Sequence, residues 1–295
     1  MSKRPEWAVD GRDWPNRAHS RFVTAGGVDW HVQVASTGQV AGTGPVVLLL
    51  HGTGAATHSW RDMLPLLAAR FTVVAPDLPG HGFTGAGPKT LPAMAAAVAA
   101  LLAELDAAPA LIVGHSAGAA VGLRMVIDGK VSPNAVVALS PALLPFPGLA
   151  AKLFPTLAKL LFVNPFMPHI IAGIAQGSGE VDRFMLRSTG SRIDAAGIGF
   201  YRRLFVNAGH VAGTMGMMAS WDLEPLKRDL PSLRPPLLVI HGDADSAIPL
   251  AKAREAAALV PGARFDVLDG LGHLAHEEAP QRICDMIAKF AKETA

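Results

Sequence analysis

The sequence predicts an α/β fold, a mostly parallel central sheet covered by helices on both faces, with one helical insertion. Three observations predict it. Short apolar runs such as Val46-Val47-Leu48-Leu49-Leu50 alternate with longer helix-like stretches. Such runs, polar only at their ends, are what strands buried on both faces require. Gly114-His115-Ser116-Ala117-Gly118 sits between one of these runs and a helix-like stretch, giving strand, sharp turn and helix in five residues. Finally, the alternation stops between about 143 and 222, where the chain reads as helices alone.

In chain order, Met1 to Arg17 is polar and carries Trp7 and Trp14; it has no apolar core of the kind a signal peptide needs. Arg21-Phe22-Val23 and Trp30-His31-Val32-Gln33-Val34 alternate around Ala25-Gly26-Gly27-Val28 and read as an edge hairpin. Strands follow at 46–50, 72–75, 110–113, 135–139, 237–240 and 264–268. Helices fall near 60–69, 91–106, 117–128, 250–260 and 280–293. Ligands of such sheets bind at the carboxyl ends of the strands, and the candidate functional residues cluster there in sequence.

Ser116 is the first of them. In a G-x-S-x-G turn the glycines let strand and helix close tightly, lifting the serine above the sheet edge. An acid is expected after Leu237-Leu238-Val239-Ile240, where Asp243 and Asp245 compete. Asp245, in the middle of the loop, is favoured; Asp243, nearer the strand end, suits a turn or cap. A histidine follows the last strand, in Gly270-Leu271-Gly272-His273, with His276 as runner-up. The order Ser116, Asp245, His273 suits a nucleophile, orienting acid and base. Backbone N–H groups after the 46–50 strand, from Thr53 or alternatively Gly54, together with that of Ala117, are the candidate oxyanion donors.

These residues, with Val73 to Gly82 and Gly272-His273 followed by Glu277 and Pro280, resemble the α/β-hydrolase family over nearly the whole chain. Longer strings are similar to one subfamily, the magnesium chelatase accessory proteins of bacteriochlorophyll biosynthesis in phototrophic bacteria (BchO type). They are Asp13-Trp14-Pro15-Asn16-Arg17, Arg21-Phe22-Val23, His51 to Trp60, Gly114 to Ala120 and Trp221-Asp222-Leu223. The resemblance implies an α/β-hydrolase core at 1–142 and 223–295 and a helical cap at 143–222. It implies a serine hydrolase of esters, thioesters or amides near the magnesium chelatase step, or alternatively a non-catalytic porphyrin-binding accessory protein. The implied partners are a hydrophobic small molecule, a porphyrin intermediate among the candidates, and magnesium chelatase subunits.

The cap's first half is apolar: Phe146, Leu149, Leu153, Phe154, Leu157, Leu160, Leu161, Phe162, Phe166 and Met167. It packs on the core, lines a cavity or touches a membrane surface. The second half carries Arg183, Arg187, Arg192, Arg202 and Arg203, then Met215, Met217 and Met218. Most of these arginines read as solvated; Arg192, Arg202 or Arg203 are candidates for substrate carboxylates.

The bulk composition narrows the classes. A formal charge of +2 gives no nucleic-acid footprint. The single cysteine, Cys284, cannot close an internal disulfide and fits a reducing cytoplasm. The greasy stretch at 160–175 is short and broken, so at most a peripheral membrane contact through the cap is expected. The scattered histidines form no metal-ligand pattern, and Gly85 to Thr90 is not a phosphate-binding loop, so no metal or cofactor is expected.

Overall fold

The structure is a computed structural model that describes residues 4–36, 44–145, 164 and 166–295. Eight strands form one sheet: β1 (Ser20–Ala25), β2 (Val28–Ala35), β3 (Val46–Leu50), β4 (Thr72–Pro76), β5 (Pro109–His115), β6 (Ala135–Leu139), β7 (Leu237–Gly242) and β8 (Arg264–Leu268). Their order is β1-β2-β4-β3-β5-β6-β7-β8. The β1–β2 hairpin is antiparallel and joins β4 antiparallel; every other pairing is parallel. The edge hairpin and the mostly parallel sheet therefore stand where the sequence placed them.

Side chains alternate across each strand, so both faces of a parallel run need cover. Leu48, Leu50, Ile112, Val136, Ala138 and Val239 pack on one face, against helices α3 (Leu91–Glu104) and α4 (Ala117–Ile127). Val47, Leu49, Val113, Val137, Leu139 and Ile240 pack on the other. There they meet Met63, Leu64 and Leu67 of α2 (Met63–Ala68) and Ile283, Ile287 and Phe290 of the last helix, Pro280–Glu293. A short α1 (Trp7–Asp10) precedes the sheet.

Between β6 and β7 the described chain forms α5 (Met167–Ala175), α6 (Glu180–Thr189), α7 (Ala195–Phe205), α8 (Ala208–Ser220) and α9 (Glu224–Asp229). Three more helices complete the core: α10 (Leu250–Ala258), α11 (Ala275–Glu278) and α12 (Pro280–Glu293). Among the apolar residues expected in the first half of the insertion, those from Phe146 to Phe162 lie outside the described residues. Pro168 does not cut a helix; it stands in the first turn of α5, where a missing N–H costs nothing. The helix expected at 60–69 is split into a 3₁₀ turn, Thr57–Trp60, and α2.

Candidate active site

Ser116 stands between β5 and α4 at φ 51° and ψ −116°, a conformation that costs a non-glycine residue about 1–3 kcal/mol. Its surroundings over-determine it. Ser116 N–H donates to Leu139 O (2.9 Å), and Ser116 O accepts from Ala119 and Ala142 (both 3.2 Å). A Cβ on Gly114 would lie 2.4 Å from Ala119 Cα, and one on Gly118 would lie 2.0 Å from Leu50 O. Both glycines are therefore required by close approach. Ser116 itself stays partly exposed, although nearly every neighbour in sequence is buried.

The acid and the histidine meet. His273 Nδ1 lies 2.8 Å from Asp245 Oδ2. The other oxygen, Oδ1, accepts from the N–H groups of Ala247 (2.8 Å) and Ile248 (2.9 Å), which fixes the carboxylate plane. Burial disfavours the charged form of Asp245. The hydrogen bond and charge of His273, with the Ile248 N–H, outweigh it and hold the carboxyl below its usual range. A carboxylate on Nδ1 makes that nitrogen the donor and leaves Nε2 as the basic site of a neutral ring. Asp243 does something else: its Oδ1 accepts from Gly270 N–H (2.7 Å) and shapes the loop after β8. His276 also lies apart, with Nε2 2.7 Å from Ser59 Oγ.

The β3 turn reaches the same place. A Cβ on Gly52 would lie 2.7 Å from His115 Nδ1 and 3.1 Å from Ser116 Cβ. His51 Nε2 accepts from Leu78 N–H (2.8 Å), so its Nδ1 is the donor to Gly52 O (2.8 Å). Gly52 O also accepts from Ala55 N–H (3.2 Å). Gly52 C=O and Thr53 N–H share one trans peptide plane, so holding the carbonyl on one side turns the Thr53 N–H to the other. Among the described residues, the N–H groups of Thr53, Gly54 and Ala117 donate to no protein acceptor. His115 ties the halves together: adjacent to Ser116 in the chain, it donates through Nε2 to His273 O (3.0 Å). Burial, then the neighbouring His276 and His273, keep its pKa well below the ordinary value, so it is neutral.

Sequence reasoning missed what holds the histidine loop. Residues 189–191, at the end of α6 and just after it, wedge between the acid loop and the histidine loop. Thr189 O accepts from His273 N–H (2.8 Å), and Ser191 Oγ accepts from Leu274 N–H (2.8 Å). Gly190, at φ +70°, is so close to the acid loop that a Cβ would lie 2.1 Å from Ala244 O. On α11, buried Glu277 accepts from Ser59 Oγ (2.8 Å), Tyr201 Oη (2.7 Å) and Arg61 (2.6 Å). Burial raises the Glu277 carboxyl despite these donors. The one sequence signal was that Tyr201 is the only tyrosine of the chain.

Of the arginines expected for substrate carboxylates, Arg202 and Arg203 lie against carboxylates of this chain. Arg203 forms a fork with Asp13 (2.6 and 3.0 Å), and Arg202 lies 3.9 Å from Asp182. Arg183 pairs with Glu180, and it is the backbone N–H of Arg192, not its guanidinium, that donates to Glu278 (3.3 Å). Met215 and Met217 are buried and Met218 is exposed. Among the described residues no group of His, Cys, Asp or Glu side chains has the arrangement of a metal site. No described helix is long and apolar enough to cross a membrane.

A positive-φ serine at a strand–helix turn, a carboxylate-bound histidine tied to that turn through His115, and free backbone donors define a class of protein. The chain belongs to the alpha/beta hydrolase family, whose model matches residues 47–286. It is 39% identical, over 93% of its length and 95% of the other protein, to the "Magnesium-chelatase 30 kDa subunit" of Rhodobacter capsulatus. It is 32% identical to a pimeloyl-[acyl-carrier protein] methyl ester esterase of Aromatoleum aromaticum, over 79% of this chain and 94% of that one. Among solved structures, a thermophilic esterase from Thermogutta terrifontis superposes with a TM-score of 0.73 at 20% identity, covering 93% of this chain and 98% of that one. The enol-lactonase of Burkholderia xenovorans gives 0.70 at 22%, over 92% and 100%. At those identities the two structures speak for the fold alone.

Proposed function

We propose that this protein is a serine hydrolase of carboxylic esters or related acyl compounds, acting in bacteriochlorophyll biosynthesis at or near the magnesium chelatase step. The observation that carries the chemistry is the 2.8 Å contact between His273 Nδ1 and Asp245 Oδ2, set beside the strained Ser116 turn. In this reading Ser116 Oγ attacks the substrate carbonyl and His273 Nε2 takes its proton. The same proton then goes to the leaving group. Water, deprotonated by His273, cleaves the acyl-enzyme and returns Ser116. Asp245 keeps the imidazole in its Nδ1–H tautomer and stabilises the imidazolium. The N–H groups of Thr53 and Ala117 hold the oxyanion, and His51 positions the first of them through Gly52 O. The helices of 143–222 form the cap of this reading, and Thr189, Gly190 and Ser191 hold the acid and histidine loops together.

The pathway assignment is supported by the chelatase-subunit name of the Rhodobacter relative. That name also favours a second reading, a non-catalytic accessory protein that binds a porphyrin for magnesium chelatase. Phe166, which caps α5, and Ile170 and Ile174 on it recur every four residues and are exposed at 69%, 50% and 58%, a face suited to a chelatase subunit or a membrane surface. Turnover of p-nitrophenyl esters, measured with and without protoporphyrin, tests the two. Turnover that Ser116→Ala abolishes and protoporphyrin inhibits competitively supports the hydrolase reading. Saturable porphyrin binding without any turnover would replace it with the accessory reading.

A further inference from the structure

Gly54 meets Phe205 and Thr214, and its carbonyl accepts from His210 Nε2 at 3.1 Å, so one face of α8 covers the β3 turn. A different face of the same helix borders a cleft of about 470 Å³. Gly209, Ala212 and Gly213 of α8 form one wall, Pro79, Gly80, Ala86 and Gly87 of the loop between β4 and α3 form another, and Arg4 and Lys89 complete it. The close approach of these walls needs glycine: a Cβ on Gly213 would lie 2.1 Å from Gly80 O. The cleft is therefore a built gap between two backbones and not a loosely packed seam.

Its charge is one-sided. Arg4 and Lys89 are both cationic, and among the described residues no aspartate or glutamate lines the cleft. Arg4 is partly buried and donates to Thr84 O at 2.6 Å, a neutral acceptor that leaves its charge uncompensated. Burial lowers its pKa, the direction expected of a cation drawn out of water with no anion beside it. The Lys89 stem lies along α8, where a Cβ on Gly216 would come within 3.0 Å of Cδ, Cε and Nζ. Among the described residues neither cation has a carboxylate partner, whereas Arg61, Arg124, Arg183, Arg203 and Arg264 each do. A partly desolvated cation without a counter-ion is costly, and an oxyacid ligand relieves that cost. The volume falls in the range of small-molecule sites, and the remaining lining is apolar.

We infer that this cleft is a second binding site, for an anionic amphipath whose carboxylate or phosphate head meets Arg4 and Lys89 and whose apolar body lies against Pro79, Ala86 and Ala212. The site does not require Ser116 chemistry. Calorimetric titration with dodecanoate, dodecyl phosphate and methyl dodecanoate, on Ser116→Ala protein so that nothing turns over, tests it below the micelle concentrations. At least one of the two anions is expected to bind saturably and the neutral ester is not; the tighter anion identifies the head group. The double substitution Arg4→Gln, Lys89→Gln is expected to weaken binding at least tenfold, and Ala86→Trp, at an exposed wall position, to block it. Both sets of changes, placed in otherwise unaltered protein, should leave fluorophosphonate labelling unchanged, which separates failure here from failure of the hydrolase reading. Absence of binding by both anions, equal binding of the methyl ester, or anion binding that survives both sets of changes would overturn the inference.

Discussion

Gly190→Ala isolates the wedge between the acid and histidine loops. At φ +70° an alanine costs about 1–2 kcal/mol in backbone conformation alone. Its Cβ would also stand 2.1 Å from Ala244 O and 3.2 Å from Ala244 C. A normal contact needs roughly 1 Å more, and a displacement of that size at a catalytic group costs about 100-fold in rate. Ala244 adjoins Asp245, so the shift falls on the partner of His273. The expected result is a loss of about 2–4 kcal/mol in stability, from the strained backbone and the clash, with labelling by a fluorophosphonate slowed by about 100-fold. Thermal melting and labelling rates measure the two. Gly199→Ala, at an exposed position of α7 with nothing within 4 Å of its Cβ, is the control in the same insertion. It should stabilise by about 0.5–1 kcal/mol and leave labelling alone. Wild-type labelling and stability in Gly190→Ala would refute the wedge.

Other outcomes follow from the same geometry. Asp245→Asn should lower ester turnover by about 10⁴-fold, and Asp243→Asn should mainly loosen the loop at Gly270; steady-state kinetics showing the reverse order would exchange their roles. Burial depresses the pKa of His51, His58, His81 and His115, of His210 to about 4 and of His276 to about 3. The unfolded chain binds these protons first, so their contribution is complete above about pH 6.5 and declines as pH falls toward the folded values. His210 alone gives up about 3 kcal/mol between pH 7 and pH 4; urea melts that are flat across that window would contradict the buried neutral rings. Tyr201→Phe leaves buried Glu277 one donor short and should cost about 1–3 kcal/mol by urea unfolding; an unchanged midpoint would remove that bond from the account.

The sequence was legible where structure is local. Strands 46–50, 135–139 and 264–268 match residue for residue, because short runs in a sheet covered on both sides are bounded by turn chemistry. Ser116 was readable because strand, glycine turn and helix are contiguous. The β7 strand runs to Gly242, two residues past the expected end, because His241 is buried and bonds through Nε2 to Ile248 O (3.0 Å); its polarity read as loop. The helix at 60–69 was misread because Thr57 N–H is tied to Asp77 Oδ1 (2.7 Å), a tertiary bond that sets the 3₁₀ turn. Ser59–Glu277 and Arg203–Asp13 join residues 218 and 190 apart, and no local pattern announces such pairs. The single turn of α11 escaped because Ala279, at φ −138°, separates it from α12 by one residue.

The central claim is that Ser116 is a nucleophile activated by His273. Peptide mass spectrometry of the fluorophosphonate-treated protein tests it most directly. The account predicts one adduct, on Ser116, absent in Ser116→Ala and strongly reduced in His273→Ala. An unmodified Ser116 in folded protein, or an adduct that persists in Ser116→Ala, would contradict it.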